Sequence, residues 1–197
     1  MDERDIGLKL IKDHIEQRQH KAIVIDFSIG TGAIEPSFDA DIPSDDVALA
    51  GGMSRDQIRA GFTSERDRVT AAMALGLATK LSELHKAGSL QGVIAVAGMT
   101  GTLITLPALK GLPFGMPKVL ISSATALPRY ADYYAQYFSL NDITVMHSVI
   151  DTVGMNAMLR TLLLNGAGAV CGMIEGYEAP VTETKPAIAI TECRRRS

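Results

Sequence analysis

GVIAVAGMTGTLIT, residues 92–105, contains the change of secondary structure on which the fold depends. Val93 to Ala97 is a short, unbroken apolar run rich in β-branched residues, the pattern of a parallel strand buried on both faces. Gly98-Met99-Thr100-Gly101-Thr102 then interrupts the run, and glycines at such a break permit a tight turn and a close approach of backbone to a ligand. Residues 100–110 continue as a helix that Gly111 and Pro113 bring to an end. Strand, Gly-rich turn and helix together bring unpaired backbone N–H groups and a positive helix end to one point, which attracts anions. The stretch has no Lys-Ser/Thr after its second glycine, as a P-loop would, and no third glycine of a dinucleotide fingerprint. It reads either as an anion site or as an ordinary strand-to-helix turn.

Outward from this stretch, strand and helix patterns alternate. Residues 5–19 repeat Leu8, Ile11 and Ile15 at helical spacing with charges between them. KAIVIDFSI, residues 21–29, is a strand that runs into Gly30-Thr31-Gly32. Its Asp26 reads either as a ligand contact or as a hydrogen-bonded structural carboxylate. Residues 33–46 form an excursion rich in Pro, Asp and Ser. Ser44 is then expected to cap a helix stopped by Gly51-Gly52. A short helix over 54–60 precedes a long one over 64–87, with Val69, Met73, Leu77, Leu81 and Leu84 along one face and Thr63 or Ser64 as cap. Residues 118–123 and 142–149 read as strands, 151–164 as a helix, 167–174 as a small apolar strand, 178–185 as a linker and 187–191 as a further strand. The pattern leaves 128–138 undetermined. Alternating strands and helices predict a doubly wound, mostly parallel α/β sheet in three layers.

Composition narrows the functional classes. The 197 residues carry a formal net charge of −3, and 47% are apolar. A sizeable core is therefore expected. With no basic stripe through the body, nucleic-acid binding is not expected. The Arg194-Arg195-Arg196 cluster is confined to the last residues. Cys171 and Cys193 have no metal-binding spacing and read as reduced thiols, Cys171 as a small core residue. The charged N-terminus does not resemble a signal peptide, and no apolar run approaches the ~20 residues of a membrane span. A cytoplasmic protein with no membrane partner is the expectation.

Several polar residues are candidates for a site. Gly98, Met99, Thr100, Gly101 and Thr102 would hold an anion through backbone N–H groups and hydroxyls. Ser122 and Ser123 end the next strand and would line the same crevice. Lys118 starts that strand, at the far end, and reads as structural. Asp142, Ser148, Asp151 and Asn156 form a polar series that would either bind ribose, phosphate-bound magnesium or a hydroxyl, or cap and satisfy backbone. His147 reads as a packed or hydrogen-bonded histidine. No Ser, His and carboxylate come together as a triad, and no metal site is indicated.

Four ordered motifs, GVIAVAGMTGT, LPFGMPKVLISSA, NDITVMHSVIDTVGMN and NGAGAVCGM, resemble the Tm-one-like family of uncharacterised proteins, which includes the ATP-binding domain of a tobamovirus resistance protein. The likeness covers residues 5–175 and is strongest in the last half. It implies a Rossmann-like or flavodoxin-like fold and ATP as ligand, with Mg²⁺ as a possible companion. It also implies a regulatory or scaffold module of a larger two-domain protein, assembled as a homo-oligomer (a dimer). The alternatives are a hydrolase or transferase domain acting on a phosphorylated metabolite, or a dimerisation module using the Met- and Tyr-rich residues between Tyr130 and Met158. Arg66, in an acidic-Arg pair that the family shares, would reach a phosphate or lie on a solvated helix face.

Against the family pattern, Met99 and Thr100 replace the second glycine and its neighbour. The hydroxyl-rich turn with glycine becomes Ser122-Ser123-Ala124-Thr125-Ala126-Leu127. The family's opening strand should end where Met1 falls. Residues 1–178 are thus expected to form the domain, and 179–197 a linker and the start of a second one. In a doubly wound sheet the opening strand is central, and residues 187–191 are the spare strand able to fill its slot.

Overall fold

The computed structural model describes residues 3–29, 39–151, 154–177 and 187–192. Helix α1 (Glu3–Gln17) leads into strand β1 (Lys21–Asp26). Helices α2 (Ser44–Ala50), α3 (Arg55–Gly61) and α4 (Arg66–Lys86) follow. Then come β2 (Gly92–Ala97), α5 (Met99–Leu109) and β3 (Lys118–Ser122). A 3₁₀ turn over Pro128–Tyr130 enters α6 (Ala131–Phe138), which fills the segment the sequence pattern leaves open. β4 (Thr144–His147), α7 (Ala157–Glu175) and β5 (Ala187–Glu192) complete the order.

The strands form one sheet in the order β1-β5-β2-β3-β4, every pairing parallel. β5 lies between β1 and β2, pairing Ile23 with Ala189 on one side and Val93 with Ala189 on the other. The last described strand therefore occupies the central slot that a doubly wound sheet gives to its first. If β5 is counted as first, the order is the 2-1-3-4-5 of the flavodoxin-like arrangement, whose crevice opens beside that central strand. Residues 187–191, read from sequence either as the opening of a second domain or as the strand that fills the central slot, do the latter: β5 belongs to this sheet.

Side chains alternate across the sheet as the pleat requires. Ile23, Ile25 and Val93 face α2, α3 and α4 through Val47, Ile58, Met73 and Leu77. Ala22, Val24, Ile94, Val96 and Ile121 face α1 and α7 through Ile11, Ile15, Leu163 and Val170. Ala95, Ala97 and Leu120 pack under Leu106 and Tyr134. At the outer edge, Ile42 bridges to Ile25 and Asp41 accepts the Val24 N–H at 2.7 Å.

Several local expectations change. Residues 167–174 are the second half of α7, not a strand, and the helix begins at Ala157 rather than near 151. Small apolar residues suit either state, but Leu159, Leu163, Ala167, Val170, Cys171 and Ile174 recur at helical spacing and are all buried. A Cβ on Gly166 would lie 2.5 Å from Ile121 Cδ1, so glycine lets α7 sit close to the sheet. By length and composition α7 could span a membrane. Its buried face packs on β2 and β3, as expected of a core helix. Pro43, not Ser44, precedes α2, and Glu65 rather than Thr63 or Ser64 precedes α4; neither supplies a side-chain cap. The Gly30-Thr31-Gly32 turn, the 178–185 linker, Cys193 and the arginine tail lie outside the described residues.

Candidate functional site

The parallel strands all end on one edge of the sheet, and the loops after β2 and β3 meet there. Gly98 is the N-cap of α5 and has no side chain to cap it. The N–H groups of Met99, Thr100 and Gly101 precede the first intrahelical bond, which Thr102 N–H donates to Gly98 O at 2.9 Å. Gly98 has φ −79°, open to any residue, and a Cβ there would meet nothing within 4 Å. Neither strain nor packing calls for glycine here. What its absent side chain leaves open is access to the helix N-terminus.

Helix α4 starts beside it. Both α4 and α5 run from this edge of the sheet and pack along each other, so their positive ends converge. Arg66, the first residue of α4, donates from Nη2 to Thr100 Oγ1 at 2.6 Å. Its guanidinium also stacks 5.4 Å from the Phe62 ring centroid. Arg66 is exposed while Thr100 is buried, so a solvent-facing cation is tied to a buried hydroxyl at the start of α5.

Other predicted residues have structural duties. Thr102 Oγ1 bonds Gly98 O at 2.8 Å and Ser122 Oγ at 2.7 Å. Ser122 Oγ also accepts the Ala124 N–H at 3.0 Å. Thr102 and Ser122 are fully buried, so they fasten the β2 and β3 loops together. Ser123 is half-buried at the lip, and Asp151 is exposed beyond β4. Asn156 accepts the Leu159 N–H at 2.9 Å and caps α7. Asn156→Ala should therefore cost about 1 kcal/mol of stability in a chemical melt, with Asn156→Asp restoring it; an unchanged midpoint would exclude the capping role.

Asp142 lies at the opposite end of the sheet. It accepts Lys118 Nζ at 2.7 Å and the Gly115 N–H at 2.6 Å. It is thus removed from any ligand at the crevice. Asp26 Oδ1 accepts the Ser28 N–H at 2.8 Å, a structural turn after β1. His147 Nδ1 lies 3.2 Å from Ser122 O, a hydrogen-bonded position.

Sequence reasoning missed two features of this edge. Arg55 is buried, donates to the Ser28 carbonyl and lies 3.6 Å from Asp45 Oδ1. Its place in a short capped helix gave no hint of that. Val149 has φ +63° and is 78% exposed, closing a turn in which Ile150 N–H donates to Ser148 O at 2.6 Å. A β-branched residue there is strained by about 1–3 kcal/mol. Among the described residues no cluster of His, Cys, Asp and Glu could hold a metal ion.

The family described as "Uncharacterised protein family (UPF0261) N-terminal domain" matches residues 1–179. A "UPF0261 protein" of Clostridium tetani is 31% identical over 194 residues, 97% of this chain and 45% of the relative. The tomato (Solanum lycopersicum) "ToMV resistance protein Tm-1(GCR237)" is 29% identical over 155 residues, 76% of this chain and 20% of its own length. The "ToMV susceptible protein tm-1(GCR26)" of the same plant is 30% identical over 175 residues, 85% of this chain and 22% of its own. The chain thus spans less than half the length of these relatives.

Proposed function

This chain belongs to the UPF0261 family, and on that premise we propose that it binds the phosphates of a nucleotide, ATP, at the N-terminal turn of α5. The observation that carries the reading is the Arg66–Thr100 hydrogen bond at the uncapped, sterically open start of that helix. Backbone N–H groups of 99–101 would donate to the phosphate oxygens, and Arg66 would swing from Thr100 onto them. Mg²⁺ would arrive on the phosphates and keep water in its remaining positions, because the protein supplies no acidic cluster among the described residues. The domain would serve as a cytoplasmic regulatory or scaffold module of a larger protein. Exposed Val149 and Met158 beside the crevice would be available for pairing with a second copy.

Calorimetric titration with ATP and Mg²⁺ tests the reading. Arg66→Ala should weaken binding at least about tenfold, the worth of a charged hydrogen bond. Gly98→Ala should leave the melting temperature unchanged, since its Cβ meets nothing, yet weaken binding by obstructing the helix start. A folded chain that takes up neither ATP nor inorganic triphosphate would end the proposal.

A further inference from the structure

A groove of about 730 Å³ runs down the outer face of the α4–α5 pair, under the tyrosines of α6. Its floor is small: Ala71, Ala74 and Ala78 from α4, with Pro107 from α5. Its wall is aromatic, formed by Tyr130, Tyr133 and Tyr137. Tyr133 and Tyr137 stand 5.6 Å apart between ring centroids, and their hydroxyls are 3.2 Å from each other. Burial first, then the hydrogen bond and charge of Tyr133, push the Tyr137 phenol up to about 12, so the Tyr137 hydroxyl stays neutral.

The groove begins where the phosphate site ends. On α4, Thr70 follows Arg66 by one turn; on α5, Leu103 follows Thr100 by three residues, and Thr70 and Leu103 both line the groove. Residues at these spacings share a helix face. The Arg66–Thr100 contact is therefore the head of the two stripes that form the floor. Thr70 to Ala74 lie roughly 6–12 Å down the axis from Arg66 at 1.5 Å per residue.

The polar atoms of the groove include strong acceptors. Asp67 offers a carboxylate at the upper end. Pro107 has no N–H to give the Leu103 carbonyl one turn before it, and both residues line the groove. A flat ring with an amino-bearing edge suits aromatic walls, a floor of small residues and carbonyl or carboxylate acceptors.

We propose that the α4–α5–α6 groove is the base pocket of a nucleoside phosphate, seating its flat amino-bearing ring against Tyr133 and Tyr137 while its phosphates reach Arg66 and Gly98. The assignment rests on the phosphate reading above and deepens it by placing the base of that nucleotide. The competing occupant, a helix of a second copy, is an outcome of the test.

The chain contains no tryptophan, and three of its five tyrosines line the groove. Its intrinsic fluorescence therefore reports on this wall. ATP should quench that fluorescence saturably, and inorganic triphosphate should bind without quenching it. Ala71→Trp, at an exposed floor position, should weaken ATP at least tenfold and leave triphosphate affinity unaltered; Arg66→Ala should weaken both. Tyr133→Ala should reproduce the selective loss of ATP without adding bulk. If ATP and triphosphate bind alike and both groove variants change nothing, the base pocket is wrong and the phosphate site stands. If neither ligand binds, both readings fall. Sedimentation showing that Ala71→Trp and Tyr133→Ala dissociate a dimer, with ATP affinity intact, would give the groove to a second copy and overturn the assignment.

Discussion

Lys118→Met is expected to destabilise the domain by about 3 kcal/mol or more, the usual cost of breaking a buried ion pair from one side. Lys118 is fully buried at the start of β3. Its ammonium donates to Pro113 O at 2.7 Å, Met116 O at 3.0 Å and Asp142 Oδ1 at 2.7 Å. It therefore closes the α5–β3 connector and ties it to the entry of β4. Methionine fills similar space but leaves two carbonyls and a carboxylate without their donor. For a domain of this size the loss corresponds to a drop in melting temperature of roughly 6–12 °C. The double variant Lys118→Met/Asp142→Asn should recover part of it, because the unpaired charge is then gone.

The same pair shapes the acid limb of stability. Burial pushes the Asp142 carboxyl up, but hydrogen bonds from Lys118, the Gly115 N–H and its own backbone, with the Lys118 charge, outweigh that and hold it below the usual range. A depressed carboxylate contributes stability that is complete above the unfolded value of about 3.9. That stability is lost as pH falls through the lower folded value. Chemical melts at descending pH should therefore show a shallower acid loss below about pH 4 in Lys118→Met than in the parent. A variant that melts within about 2 °C of the parent, with the same acid dependence, would mean that the pair is not structural.

Gly76→Ala is the other large effect. A Cβ on Gly76 would fall 1.8 Å from Val47 O, and one on Gly51 would fall 1.9 Å from Ala72 O. The two glycines face each other where α2 crosses α4, and the obstacle on each side is backbone that no rotamer change can clear. The helices must separate, so the added methyl should cost about 3 kcal/mol, at the upper end of overpacking. Gly98→Ala adds the same methyl into open space and should melt like the parent. Because α4 carries Arg66 at its first turn, Gly76→Ala should also loosen the Arg66–Thr100 contact and lower ATP affinity. Equal melting temperatures for Gly76→Ala and Gly98→Ala would contradict the close crossing.

Much of this was legible in the chain itself. The apolar run 93–97 followed by glycine could end only in a turn, and the period of Val69, Met73 and Leu77 could only be a helix. That gave the parallel α/β class and the strand-to-helix break at Gly98, because these are local consequences of side-chain period and backbone freedom; Met99 to Thr102, read as part of the turn, are already the first turn of α5. Arg66 was reached through family likeness, not local pattern. Small apolar residues at 167–174 misled, since alanine and glycine mark strand and helix alike when close packing is what selects them.

What sequence could not supply is everything set by which segments meet. Residues 187–191 could open another domain or fill a central slot; only pairing with β1 and β2 decides it, since hydrogen bonding between strands is not encoded in either strand alone. Thr102 and Ser122 looked like ligand donors, and the fold spends both hydroxyls on each other. Lys118 and Asp142 lie 24 residues apart and become one partly buried pair. Tyr130, Tyr133 and Tyr137 had no assigned element, and against the α4–α5 floor they become the wall of a groove. The sequence by itself determined the class of fold and the glycine-bearing break between β2 and α5, through local conformational preference. The tertiary structure alone decided which polar groups stay available at that break, because burial and partnership depend on residues distant in the chain.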